Sequence, residues 1–169
     1  HLAQLPPNID NLAIDRDDKI LVSSPGNNTI YRVDPETRAI ERWIAGRLSV
    51  PGGVAVDTKG RVLVADTFAF KAVEPYTVTL HQLGLRPGYP LVTGMNVHTC
   101  EGRTTLSNWY ESSVRVLDAE GLVTELLIQD LAKPQDAVAL PDGSLLIAET
   151  AGHRLSRVAP GASRAEPFL

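Results

Sequence analysis

The sequence predicts an all-β fold, a β-propeller of four blades of about 42 residues each, and three observations carry that prediction. One stretch recurs: VPGGVAVDTKGRVLVADT at 50–67 has counterparts in LAIDRDDKILVSSP at 12–25 and DAVALPDGSLLIAET at 136–150, and a worn copy in MNVHTCEGRTTLSNW at 95–109. The turns inside these copies fall at a fixed period, with Asp18, Gly60, Gly102 and Gly143 spaced by 42, 42 and 41 residues. No long window shows the 3.6-residue period of an amphipathic helix, whereas each copy holds several short β-favouring runs. Self-similarity at 40–45 residues with four strands per unit is the signature of a propeller blade.

Each copy follows the same order. A short apolar run (LAI, VAV, AVAL) reaches a turn rich in Asp, Gly and Lys, and a second run (ILVS, VLVA, LLIA) follows, which reads as a hairpin. A third strand comes next at TIYRVD (29–34), SVRVLD (113–118) and RLSRVA (154–159). A turn such as PETR (35–38) or AEG (119–121) then leads to a fourth run, AIERWIA (39–45) or LVTELLI (122–128). In the second copy FAFKAVEPY stands where the third strand belongs, and Pro75 inside it predicts a strand that is shifted, short or at an edge, because Pro cannot donate to the ladder. The chain reads as one propeller domain over 1–169, with blades at 5–47, 48–89, 90–131 and 132–169.

Composition narrows the function. The 16 Lys+Arg are set against 20 Asp+Glu with no basic cluster, so the electrostatic footprint of a nucleic-acid partner is missing. No apolar run approaches 18 residues, which argues against a membrane-spanning helix and for a soluble chain, with no compartment specified. Cys100 is the sole cysteine, so it has no intrachain disulfide partner, and in its apolar strand it reads as a packing residue. Asn27-Asn28-Thr29 matches the glycosylation sequon, which matters only for a secreted eukaryotic chain.

Two columns of the repeat carry candidate chemistry. Six residues after the turn stand Ser24, Asp66, Asn108 and Glu149, at the end of the second strand, placed either to face the channel mouth or to anchor the next turn. The innermost strand of a blade begins beside the central axis, and counting back seven residues from the turn gives Asn11, Gly53, Met95 and Asp136. His98 falls, by the same count, in the otherwise apolar column of Ile14, Val56 and Ala139, where a core histidine is the plain reading and a general base the functional one. Asn108-Trp109-Tyr110 sets an amide beside two aromatics on a loop, suited either to packing or to lining a ligand pocket. His81 reads as an outer-strand surface residue, and no nucleophile elbow, zinc-helix motif, P-loop or dinucleotide fingerprint occurs.

PGGVAVDTKGRVLVADT and ETAGHRLSRV (149–158) resemble NHL-type repeats, and IDNLAIDRDDKILVSSPGNNTIYRVD resembles the calcium-dependent propellers of the gluconolactonase, strictosidine-synthase-like and paraoxonase group. The resemblance covers the repeat architecture of essentially the whole chain. It implies a Ca²⁺-dependent hydrolase of lactones or esters, in which Asn and Asp side chains of the axial column converge on one ion. Asn11 and Asp136 match that pattern, Gly53 and Met95 do not, and the Glu that the first blade of such enzymes supplies has no counterpart here. Ca²⁺ takes 6–8 hard oxygen ligands, for which carboxylate and amide oxygens suit and a thioether does not. Under this reading Asn11 and Asp136 hold Ca²⁺ and His98 is the catalytic base. Two alternatives stand beside it: a non-catalytic NHL-type propeller that binds a protein or small ligand, and a partial enzyme without activity of its own. In both, Asn11 and Asp136 reduce to Asx residues that bond local backbone at strand starts. Relatives of this kind close with five or six blades. Four copies therefore imply a four-bladed ring, part of a larger six-bladed-like ring, or an arc completed by another chain, including a homo-oligomer.

Overall fold

A computed structural model describes residues 4–67, 69–83, 94–100, 102–118 and 124–169. Among them, sixteen strands form four antiparallel sheets of four, each drawn from one continuous stretch in simple chain order. Blade 1 holds β1 (Leu12–Ile14), β2 (Ile20–Ser24), β3 (Thr29–Val33) and β4 (Ile40–Ala45), and blade 2 holds β5 (Val54–Val56), β6 (Val62–Ala65), β7 (Phe70–Glu74) and β8 (Thr79–Leu83). Blade 3 holds β9 (Asn96–Cys100), β10 (Arg103–Asn108), β11 (Ser113–Leu117) and β12 (Thr124–Ile128); blade 4 holds β13 (Pro134–Ala139), β14 (Leu145–Glu149), β15 (Arg154–Val158) and β16 (Glu166–Pro167). A single 3₁₀ turn at Pro25–Asn27 links β2 to β3, and the described residues contain no α-helix. The turn expected at 119–121 lies outside the described residues.

The hairpin chemistry explains why the repeat is visible. Asp18, Gly60, Gly102 and Gly143 all adopt left-handed backbone, with φ of 56°, 82°, 73° and 84°. Glycine takes that conformation without a Cβ penalty and Asp tolerates it through local hydrogen bonds. In blades 1 and 2 the carboxylate of Asp15 accepts the N–H groups of Asp17 and Lys19, and that of Asp57 accepts those of Lys59 and Arg61.

Two expectations about strands change. β7 is an interior strand of full length, paired to β6 on one side and β8 on the other, and Pro75 stops it rather than interrupting it. It begins four residues after Asp66, where the third strands of the other blades begin five after their counterparts, so it is shifted but not at an edge. The second change lies in blade 3. There Cys100 pairs with Arg103 across two residues, whereas Asp15 and Lys19, Asp57 and Arg61, and Leu140 and Ser144 are bridged across three. One residue fewer in that turn slides β9 by one position against the repeat. By strand register, Asn11 sits opposite Ser23, Gly53 opposite Ala65, Asp136 opposite Ala148, and Asn96, not Met95, opposite Ser107.

Three apolar cores hold the blades together. Leu21, Ile30 and Ile44 of blade 1 pack on Val54, Val62, Val64 and Val73 of blade 2. Ala55, Leu63, Phe70 and Ala72 of blade 2 pack on Val97, Leu106 and Leu117 of blade 3. Val114, Val116 and Ile128 of blade 3 pack on Ala137, Leu145, Ile147 and Val158 of blade 4. Innermost strands meet in sequence, β1 on β5, β5 on β9 and β9 on β13, and no comparable packing joins blade 4 back to blade 1 among the described residues. The four blades form an open arc.

Candidate functional site at the propeller axis

The starts of the innermost strands gather polar side chains on the inner wall of the arc. Asn96 is buried, and its Oδ1 accepts the Val97 backbone N–H at 3.0 Å and Asn11 Nδ2 at 2.8 Å. The Val97 bond fixes Oδ1 as the acceptor, so the Asn11 atom facing it must be the amide nitrogen. Asn11 Oδ1 is thereby the end left to face elsewhere. Gly53 makes this reach across blade 2 possible: a Cβ there would lie 2.3 Å from Asn96 Oδ1 and 2.4 Å from the Val97 nitrogen. The vacant place in the column at Gly53 is therefore space taken by Asn96.

Asp136 is positioned by a β-bulge, since the pairing of β13 on β14 slips between Pro134 and Asp136. Bulges re-aim side chains and recur beside functional sites. Hydroxyls of blade 3 clamp both flanks, with Ser107 Oγ donating to the Gln135 carbonyl at 2.9 Å and Thr105 Oγ to the Ala137 carbonyl at 2.5 Å. Asp136 Oδ1 accepts the Ala137 N–H at 2.8 Å. Burial pushes the Asp136 carboxyl above its ordinary range, and the Ala137 N–H and the nearby His98 pull the other way without overcoming it. Every fully buried acid among the described residues has a cationic partner: Asp15 has Arg32 at 2.7 Å, Asp66 has Lys71 at 2.5 Å, and Glu149 has Arg154 at 3.0 Å. Half-buried Asp136 has no Lys or Arg partner among the described residues.

The one-residue slide of β9 also moves His98. It shares register with Ala13, Ala55 and Val138 rather than with Ile14, Val56 and Ala139, and it pairs with Thr105 on the face turned to blade 4. That is how it comes to act electrostatically on Asp136. The structure thus brings together Asn11 with Asn96, and His98 with Asp136; Asn11 and Asp136 belong to the two ends of the arc and share no bond. Asn96 was hidden by counting from the turn. The small residues opposite the column, Ser23, Ala65, Ser107 and Ala148, were the better ruler.

The other candidates have structural partners. Asp66 accepts the backbone N–H groups of Ser49 and Val50, and Glu149 that of Ala132, so each ties its second strand to the segment leading into its own blade. Asn108 Oδ1 accepts the N–H groups of Tyr110 and Glu111. This turn holds Trp109 and Tyr110 edge to face, with ring centroids 5.4 Å apart at 86°, and Lys133 Nζ lies 4.6 Å from the Trp109 ring centre. Trp109 Nε1 donates to Thr150 Oγ1 at 3.4 Å across the junction of blades 3 and 4. Because Asn96 pairs with Ser107, this aromatic pair stands at the same end of the propeller as the axial residues. Cys100 and Thr99 line a separate cleft at the turn end, with Val56, Thr58 and Thr104. His81 is exposed on the outermost strand of blade 2. No described helix is long and apolar enough to cross a membrane.

No family model matches the chain, and no curated protein matches it in sequence. Solved structures do match its fold. Virginiamycin B lyase from Staphylococcus aureus superposes with a TM-score of 0.77 at 14% identity, over 97% of this chain and 56% of the lyase. A gluconolactonase from Xanthomonas campestris gives 0.74 at 16% identity, over 95% of this chain and 61% of that one. A chain of the nidogen/laminin complex gives 0.72 at 16%, over 94% and 64%. The chain spans 56–64% of the length of these three chains, and at such identities the likeness is one of fold, the fold that the repeat resembles.

Proposed function

We propose that the chain carries the metal-binding and proton-transfer half of a lactone or ester hydrolase, with a hard divalent cation such as Ca²⁺ at the propeller axis. The observation that carries this reading is Asp136, a carboxylate sunk in the axial wall without, among the described residues, the cationic side chain that the buried acids Asp15, Asp66 and Glu149 have. An uncompensated carboxylate in a half-buried place is costly unless a cation or proton neutralises it. The donor types suit a hard ion: the Asp136 carboxylate at one end of the arc and, at the other, the Asn11 amide oxygen that Asn96 leaves free. Bound there, such an ion supplies Lewis-acid polarisation of a carbonyl oxygen. His98, beside Asp136, takes a proton from water at a ring nitrogen as general base. The activities of the lyase and the gluconolactonase, propellers of the same fold, agree with an enzymatic site on such a scaffold.

Thermal unfolding with Ca²⁺ and with chelator tests the metal. A rise in Tm with Ca²⁺ that Asp136→Asn abolishes is expected by linkage. A wild-type Tm indifferent to Ca²⁺, Mg²⁺ and Mn²⁺ sinks this reading. Hydrolysis of a lactone panel, with kcat lost by ~10²-fold or more in His98→Gln at unchanged fold, tests the base.

A second reading is a non-catalytic propeller that binds a small or protein ligand, and the exposed Trp109–Tyr110 corner beside Lys133 favours it. Exposed aromatics are common anchors of recognition. Ligand binding that disappears in Trp109→Ala and persists in chelator separates it from the first.

A further inference from the structure

The two ends of the arc are finished as blade-to-blade faces, and they are complementary. On blade 1, Leu12 pairs with Val22 and Ile14 with Ile20, in the registers where Val54 pairs with Val64 and Val56 with Val62. Val54 is buried and Val56 partly buried against blade 1, whereas their counterparts Leu12 and Ile14 are 63% and 53% exposed; Val22, the counterpart of Val64, is already buried within blade 1. On blade 4, Val138 pairs with Leu146, in the registers of Ala13 with Leu21 and Ala55 with Leu63. Leu21 and Leu63 are buried against the next blade; Leu146, with Val138, Ala148 and Leu155, is only half-buried. Blade 4 therefore ends on the kind of face that receives the Leu12–Ile14 kind, and blade 1 begins with that kind.

We infer that blade 4 of one copy of this chain docks on blade 1 of a second copy, head to tail. The repeat supplies the complementarity, because the same register that seats Val54 and Val64 on Leu21 seats Leu12 and Val22 on Leu146. Each face carries one arginine beside its apolar residues, Arg42 opposite Tyr31 on blade 1 and Arg157 opposite Leu146 on blade 4; Arg157 is held by Asp142 at 2.5 Å, as Arg32 beside Leu21 at the occupied junction is held by Asp15 and Asp17. Ser23 and Ser107 add a hydroxyl bond to the next blade's backbone, at Gly52 and Gln135. Ala148 occupies that position at the new junction, as Ala65 does at the junction of blades 2 and 3, so an apolar contact suffices there. Such a contact is heterologous, using different surfaces on the two partners. It also continues the axial column, setting Asp136 of one copy in line with Asn11 of the next.

The test is mass in solution, by light scattering and sedimentation, with folding checked by circular dichroism. Wild type is expected at a multiple of 18.3 kDa. Leu12→Glu and Leu146→Glu each block one face, so each alone is expected to be a monomer. Mixed, they retain one intact face apiece and are expected to form a complex of one copy of each. Ile14→Glu and Leu155→Glu replace them if either fails to fold. A monomeric wild type overturns the inference and assigns the faces to blades elsewhere in a longer polypeptide. Association that single-face variants do not block, or variants that stay monomeric when mixed, overturns it as well. None of these readouts involves metal or hydrolysis, so the inference and the proposed function stand or fall separately.

Discussion

At the scale of single residues, Asp136 and Gly53 decide what the axis is. A carboxyl held above its ordinary range binds its proton more tightly in the folded than in the unfolded chain. Stability is therefore greatest below the ordinary Asp range and declines as pH rises from there through the raised value. Asp136→Asn removes that decline, so in metal-free buffer the variant is expected to be more stable than wild type at neutral pH and not at low pH. Urea midpoints at several pH values check this, and an unchanged pH profile would count against an uncompensated Asp136. Glu149 runs the opposite way. Burial alone raises its pKa, but hydrogen bonds from Arg154, Ser156 and Ala132 prevail and lower it, so its contribution is present above the ordinary Glu range and is lost as pH falls. Gly53→Ala drives a methyl group into Asn96 Oδ1 and the Val97 backbone nitrogen. The backbone cannot yield cheaply, and a loss of about 1–3 kcal/mol is expected by chemical denaturation.

Elements explain both the success and the error of counting along the chain. Left-handed turn residues recur because these short hairpin turns need that conformation, and Gly143→Ala, whose Cβ would meet only Pro160 at ordinary contact distance, isolates the backbone term. Its expected cost is about 1 kcal/mol, read from the denaturation midpoint. Blade 3 replaces the three-residue turn by a two-residue one, and every position upstream of it slides by one. In a strand a slide of one residue reverses the face of each side chain. That is why His98 turned from an apolar column toward Asp136, and why Met95 gave its place to Asn96.

For the molecule as a whole, three cores serve four blades, and the fourth junction is open among the described residues. Phe70 sits fully buried in the core of blades 2 and 3, so Phe70→Ala is expected to cost about 3–5 kcal/mol, measurable as a large fall in Tm. A loss below about 1 kcal/mol would mean that this core does not hold the arc together.

The amino-acid sequence by itself determined the repeat, the four-stranded blade and two oxygen-bearing places in the axial column, Asn11 and Asp136, because local turn chemistry and period-2 apolar runs are written in contiguous residues. Asn11, Asp136 and His98 were legible as candidates for the same reason. Which residues face one another was not legible. The partnership of Asn96 with Asn11 depends on one missing turn residue and on the absence of a side chain at Gly53, some forty residues away. Among the described residues, the lack of a Lys or Arg partner for Asp136 and of packing between blades 4 and 1 are likewise properties of how the blades meet. Only the tertiary structure decided them, since register and inter-blade contact sum small local offsets that no single segment carries.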